Sequence, residues 1–160
     1  MKVAIVMGSK SDYEVVSKAE DILKQFGVEY ETRIISAHRT PNLAHEFSAN
    51  AEKNGIEVII CAAGKAAHLA GVMASGTAVP VIGIPMKTSD MGGLDSLLST
   101  VQMPRGIPVA TVAISGAENA ALLAVQILGT KYPELRESFW KYKRKMEEDI
   151  IKLDSELQVQ

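Results

Sequence analysis

The run Val28-Glu29-Tyr30-Glu31-Thr32-Arg33-Ile34-Ile35-Ser36-Ala37-His38-Arg39-Thr40-Pro41 changes character part-way along. Val28 to Ile35 reads as a strand. Thr40 and Pro41 then read as the N-cap and first residue of a helix, because proline's missing N–H costs nothing at that position. His38 and Arg39 therefore fall on a tight strand-to-helix turn, a titratable ring beside a permanent cation. In parallel α/β sheets such turns lie at the carboxyl edge of the strands, where ligands bind.

The same unit recurs on either side. Lys2 to Met7 is a β-branched apolar run, Gly8 to Asp12 a polar turn, and Tyr13 to Phe26 an amphipathic helix with Val16, Ala19, Leu23 and Phe26 at helical spacing. Ser11 and Glu14 stand at capping-box spacing, and Gly27 supplies the stop. Beyond Pro41, Leu43, Phe47 and Ala51 mark the inward face of a second helix ending near Gly55. Val58 to Ala63 is too uniformly apolar for a sheet with one wet face and reads as a buried parallel strand, broken by Gly64. Lys65 to Gly71 leads into a small-residue helix through Met73, and Pro80 to Ile84 is a fourth strand closed by Pro85. Met86 to Gly93 is irregular and reads as a lid over the strand edge. Leu94 to Leu98 is a short helix, Val109 to Ile114 a fifth strand, and Ser115 with Glu118 opens an apolar helix through Leu128, ended by Gly129. Right-handed crossovers turn this alternation into an α/β fold: a central parallel sheet of about five strands with helices on both faces, flavodoxin-like. Composition leaves the strand order open.

A chain of 160 residues, 47% hydrophobic and 22% charged, supports one domain spanning residues 1–160, with a core over 1–130 and a C-terminal helix over 133–157. A net charge of -2 provides no field for nucleic acid or an anionic membrane, so the expected partner is a small molecule met by local groups. No run approaches about 18 apolar residues and no leader pattern opens the chain, so a cytoplasmic location is expected. Cys61, the lone cysteine, falls in an apolar strand and reads as a small core residue. After Pro133 the pattern changes. Phe139, Tyr142, Met146, Ile150, Leu153 and Leu157 form a narrow stripe on a highly charged helix, which calls for a partner surface, preferably a neighbouring subunit.

Three loops should converge at the carboxyl edge: Gly8 to Asp12, Ser36 to Arg39, and Gly64 to His68. Gly8, Ser9 and Ser11 precede a helix whose free N–H groups favour phosphate or carboxylate, although the spacing is neither a Walker loop nor a dinucleotide fingerprint. Asp12 could cap that helix or accept bonds from sugar hydroxyls. Arg39 offers a planar fork suited to phosphate or carboxylate. His38 and His68 lie on strand-edge loops, whereas His45 sits beside Glu46 within a helix and reads as a surface residue. Neither loop histidine has further ligands at metal spacing, so no metal is expected, and His38 is equally a proton carrier near neutral pH or a structural histidine.

Gly8-Ser9-Lys10-Ser11-Asp12, Ser36-Ala37-His38-Arg39-Thr40-Pro41, Ala66-Ala67-His68-Leu69, Gly93-Leu94-Asp95-Ser96-Leu97-Leu98 and Gln102-Met103-Pro104 together resemble the PurE family of purine biosynthesis, in the family's order, from Met1 to about Gly129. The resemblance is to its class I branch. It implies a three-layer α/β/α sandwich assembled as a homo-octamer, with the C-terminal helix packing on neighbouring subunits. It also implies a reversible move of a carboxylate from the exocyclic nitrogen of an imidazole ribonucleotide to ring carbon C4, with no metal or organic cofactor. In that chemistry the carbamate loses CO2 inside the site, the freed aminoimidazole recaptures it at carbon, and His38 shuttles the proton. By resemblance Ser9, Asp12 and Arg39 bind the nucleotide, Ser11 assists at the phosphate, and His68 lines the carboxylate end. Ser36, Ala37, Gly64, Ala66 and Leu69 complete the expected substrate-binding set, the small residues letting the ring approach the backbone. Lys65, Ala70 and Gly92 depart from the class I pattern, where glycine, proline and asparagine are common. Two alternatives are a class II enzyme carboxylating aminoimidazole ribonucleotide directly with CO2, and a non-catalytic receiver module. The receiver lacks its acidic residues here, since the strands end in Met7-Gly8-Ser9 and Ala62-Ala63-Gly64.

Overall fold

A computed structural model describes residues 1–158. Five parallel strands, β1 (Lys2–Met7), β2 (Glu29–Ile34), β3 (Ile56–Ala63), β4 (Val81–Pro85) and β5 (Ala110–Thr111), form one sheet in the order β2-β1-β3-β4-β5. The order reverses between β1 and β3, which opens a crevice at the carboxyl edge above that pair. The helices are α1 (Tyr13–Gln25), α2 (Pro41–Ala49), α3 (Leu69–Ser75), α4 (Leu94–Val101), α5 (Ala117–Leu128) and α6 (Pro133–Gln158).

The three inner strands β1, β3 and β4 are buried on both faces, which is why they are apolar without alternation, whereas edge strand β2 is polar and partly exposed. On one face Val3, Ile5, Val58, Ile60, Ile82 and Ile84 pack against Val16, Ala19 and Leu23 of α1 and the alanine-rich side of α5. On the other, Ala4, Val6, Ile59 and Cys61 meet Ala44 and Phe47 of α2 and Leu69, Ala70 and Met73 of α3. Cys61 is 1% exposed, and burial pushes its thiol up, which leaves it the inert core residue that its strand context suggested.

Several local expectations are corrected. Ser11 and Glu14 form no capping box; instead Ser9 caps a short 3-10 turn over Lys10–Asp12, and Asp12 precedes α1 without a side-chain bond to the helix's own N–H groups. Leu43 is exposed, and Ala44, Phe47 and Ser48 are the buried side of α2. The fifth strand shrinks from six residues to two. Ser115 lies in the left-handed region at φ 57° and Gly116, not Ser115, caps α5.

The 26-residue α6 is about 39 Å long and begins against the domain, with Leu135 buried and Phe139 and Tyr142 stacked near Phe26. Further along it leaves that support: Met146, Ile150, Leu153 and Leu157 are 53% to 71% exposed. No helix of the described residues is long and apolar enough to cross a membrane.

Candidate active site

The loops that leave the strands stay tied to the ladder for one more rung. Ile35 N–H donates to Met7 O at 3.0 Å, Gly8 N–H to Ala62 O at 3.1 Å, and Met86 N–H to Ala63 O at 2.9 Å. The ends of β2, β1, β3 and β4 are thereby held in line, and the turns above them enclose a cleft of about 540 Å³, a size suited to a small ligand.

The first wall is the turn after β1. Ser9 Oγ accepts from Ser11 N–H at 3.3 Å and from Ser11 Oγ at 2.9 Å, which folds the turn so that Gly8, Ser9, Ser11 and Asp12 line the cleft ahead of α1. Asp12 sits half-buried at the same wall. Burial raises its pKa above the ordinary carboxylate value, with hydrogen bonds from the Ser11 side chain and the Ser9 backbone pulling the other way.

The second wall is the Ser36–Pro41 turn, which is closed on itself. Thr40 Oγ1 accepts from Ser36 N–H at 2.9 Å and donates to Ser36 O at 3.0 Å. Thr40 therefore precedes α2 without bonding the helix's own N–H groups, contrary to its reading as a side-chain N-cap, while Pro41 does stand at the helix start. Ser36 Oγ accepts from the Arg39 backbone N–H at 3.2 Å and from Arg39 Nε at 3.4 Å, and Arg39 Nη2 donates to Gly8 O at 2.7 Å. The guanidinium thus bridges two walls with donors to spare. No sequence signal marks this contact, because its acceptor is a main-chain carbonyl 31 residues away.

The third wall is Gly64 to Leu69. His68 and His38 meet across the cleft with His38 Nε2 2.8 Å from His68 Nδ1, the rings edge-on at 80°. At that distance one nitrogen donates and the other accepts, so the pair shares a proton position inside the cleft. Gly64 brings the floor close to the next loop: a Cβ built there would lie 3.5 Å from Thr88 Cγ2.

The fourth wall, Met86 to Ser89, is the loop expected to act as a lid. Its base is fixed, since Thr88 Oγ1 donates to Asp95 at 2.8 Å and accepts from Gly93 N–H at 3.2 Å, and Ser96 Oγ donates to Met86 O. Ser9, Ser11, Asp12, Ser36, Ala37, His38, Arg39, Gly64, Ala66, His68 and Leu69 all line this one cleft, joined by Gly8, Lys65 and Lys87. His45 lies apart, exposed on α2.

An edge crevice in a parallel sheet, lined by serines, an arginine and paired imidazoles, has the make-up of an enzyme cleft. The chain belongs to the AIR carboxylase family, whose model matches residues 2–149. It is 57% identical over 150 residues to the N5-carboxyaminoimidazole ribonucleotide mutase of Saccharolobus solfataricus, covering 94% of this chain and 95% of that one. It is 59% identical over 156 residues to the protein of the same name from Pyrococcus horikoshii, covering 95% and 88%. The crystal structure of Treponema denticola PurE superposes with a TM-score of 0.87 at 32% identity over 98% of both chains.

Proposed function

We infer that this chain is a mutase of purine biosynthesis, converting N5-carboxyaminoimidazole ribonucleotide reversibly to the C4-carboxylated isomer. Relatives between 48% and 59% identical carry that mutase name over most of their length, which favours this reading over direct class II carboxylation. The observation that carries the chemistry is the His38–His68 contact inside a cleft walled by an anion-binding turn and Arg39.

The proposed sequence of events balances as follows. The N–C bond of the carbamate breaks and its electron pair stays on nitrogen, which His38 protonates as CO2 departs. The C4 carbon of aminoimidazole ribonucleotide then attacks the trapped CO2, and the proton lost from C4 returns to His38. One imidazole gives and takes one proton, so the isomerisation needs no net acid or base. The cleft must hold both fragments close enough that recapture outruns escape. Ser9, Ser11 and the amides before α1 bind the phosphate together with Arg39, and Asp12 accepts from the ribose. Ser36, Ala37, Gly64, Ala66 and Leu69 border the ring, and His68 faces the carboxylate. No metal or organic cofactor enters this scheme.

The remainder of the reading concerns the whole particle. Residues 1–130 form the catalytic core of a single domain, and the helix within 133–157 packs on neighbouring subunits of a homo-octamer in the cytoplasm. The exposed apolar stripe of α6 supports this, because a run of that kind gains most by burial against another copy.

Conversion of N5-carboxyaminoimidazole ribonucleotide in labelled bicarbonate tests the function. Rapid formation of unlabelled C4 product is expected. Product formed only from aminoimidazole ribonucleotide, and carrying the label, would replace the mutase with the class II reaction.

A further inference from the structure

Lys65 is one of two residues other than glycine with positive φ among the described residues, at 56°. A lysine adopts that left-handed conformation at a cost, so something else must favour the residue there. Lys65 lines the cleft, and its side chain reaches the next wall beside cleft-lining Ser89, where Lys65 Nζ lies 2.8 Å from Asp90 Oδ2. Asp90 belongs to the tip of the β4–α4 loop. The base of that loop is bonded through Thr88, Gly93 and Ser96, but the tip has no other side-chain bond to a different wall among the described residues. Beyond Asp90, Gly92 and Gly93 turn the chain at φ 64° and 101°, and a Cβ at Gly92 would meet nothing within 4 Å. The loop is thus anchored at its base, open at its tip, and tied across the cleft by one ion pair.

We propose that Lys65 and Asp90 are positioning residues for the isomerisation, an ionic tie between the β3 and β4 loops that holds the cleft mouth closed while CO2 is free. This rests on the mutase reading. The two loops arise from neighbouring strands and run so close that a Cβ at Gly64 would be in van der Waals contact with Thr88, so the tie spans only the outer rim. The charges also favour each other: the hydrogen bond that Lys65 donates to Asp90 raises the Lys65 pKa and lowers that of Asp90. Both side chains are exposed, so the tie is weak, reversible and screened by salt. Those are the properties of a closure that must also let product leave.

The test is the fraction of product carrying label when N5-carboxyaminoimidazole ribonucleotide is converted in labelled bicarbonate, measured at early times. Asp90→Asn and Lys65→Gln should each raise that fraction roughly two- to fivefold, the range an exposed ion pair can supply. The double variant should add little to either single one, Lys65→Arg should behave as the unmodified protein, and the exchange Lys65→Asp with Asp90→Lys should restore retention. Raising the salt concentration should increase escape in the unmodified protein and leave Asp90→Asn unaffected. Unchanged label in both single variants, or additive effects in the double, would overturn the tie while leaving the mutase reading intact. Absence of any product from the unmodified protein would instead remove that reading and the tie with it.

Discussion

His38 and His68 come from loops 30 residues apart and meet at 2.8 Å, so replacing either ring disturbs a shared proton position as well as a shape. His38→Asn keeps a polar group of similar reach and removes the titration. It should retain nucleotide binding, read by calorimetry, and lose turnover by a factor on the order of 10²–10⁴, the range general acid–base transfer supplies. Near-normal turnover would take His38 out of proton transfer. The residue types of this site were readable, since amides before a helix, an arginine fork and a strand-edge imidazole each have a chemistry that their neighbours in sequence suggest. Their partners were not. Arg39 reaches the Gly8 carbonyl and Thr40 binds back to Ser36, and a hydroxyl or guanidinium carries no mark of which acceptor it will find. Lys65 shows the same limit, because nothing in its neighbours announces that Asp90 will face it.

At the level of elements, β4 illustrates how little space the parallel sheet leaves. A Cβ on Gly83 would overlap Thr100 Cγ2 of α4 and approach Val109 Cγ1 to 3.2 Å. Gly83→Ala should therefore destabilise the protein by about 1–3 kcal/mol, seen as a fall in Tm of roughly 3–10 °C. A second element-scale prediction concerns β3. Glu57 accepts from Lys131 and Tyr132 in the turn between α5 and α6 and lies 3.6 Å from the terminal amine. Burial alone would raise its pKa, but these bonds outweigh it and lower the value. A lowered carboxyl contributes stability above the unfolded pKa of about 4.3 and loses it as pH falls through the folded value. Melting curves from pH 6 to pH 3 should show this loss, and Glu57→Gln should flatten it; an unchanged acid slope would mean that other carboxylates dominate. Alternation of strand and helix was legible because apolar runs and helical spacing act over whole segments. Cap residues and β5 were less so, since Ser115 and Ser11 had other partners and only Ala110 and Thr111 of the expected fifth strand pair with β4.

For the whole molecule, α6 is the feature on which the proposed assembly rests. Deleting residues 133–160 removes the exposed apolar stripe while leaving the sheet and cleft residues in place, and light scattering should then report dissociation to smaller particles. An unchanged mass would take α6 out of the proposed assembly and leave its stripe serving its own subunit. The cleft itself is a property of the sheet's register, because its four walls hang from the ends of β2, β1, β3 and β4 by single extra rungs. No one hairpin or helix contains it. A nucleotide bound there would consequently report on global rather than local unfolding. At a hundredfold excess over Kd, occupancy should add about 2.7 kcal/mol to unfolding. The gain should appear as slowed amide exchange along the central strands, including residues remote from the cleft. A folding intermediate lacking β4 would be unable to bind, so the substrate can act as a checkpoint that recognises only the completed sheet.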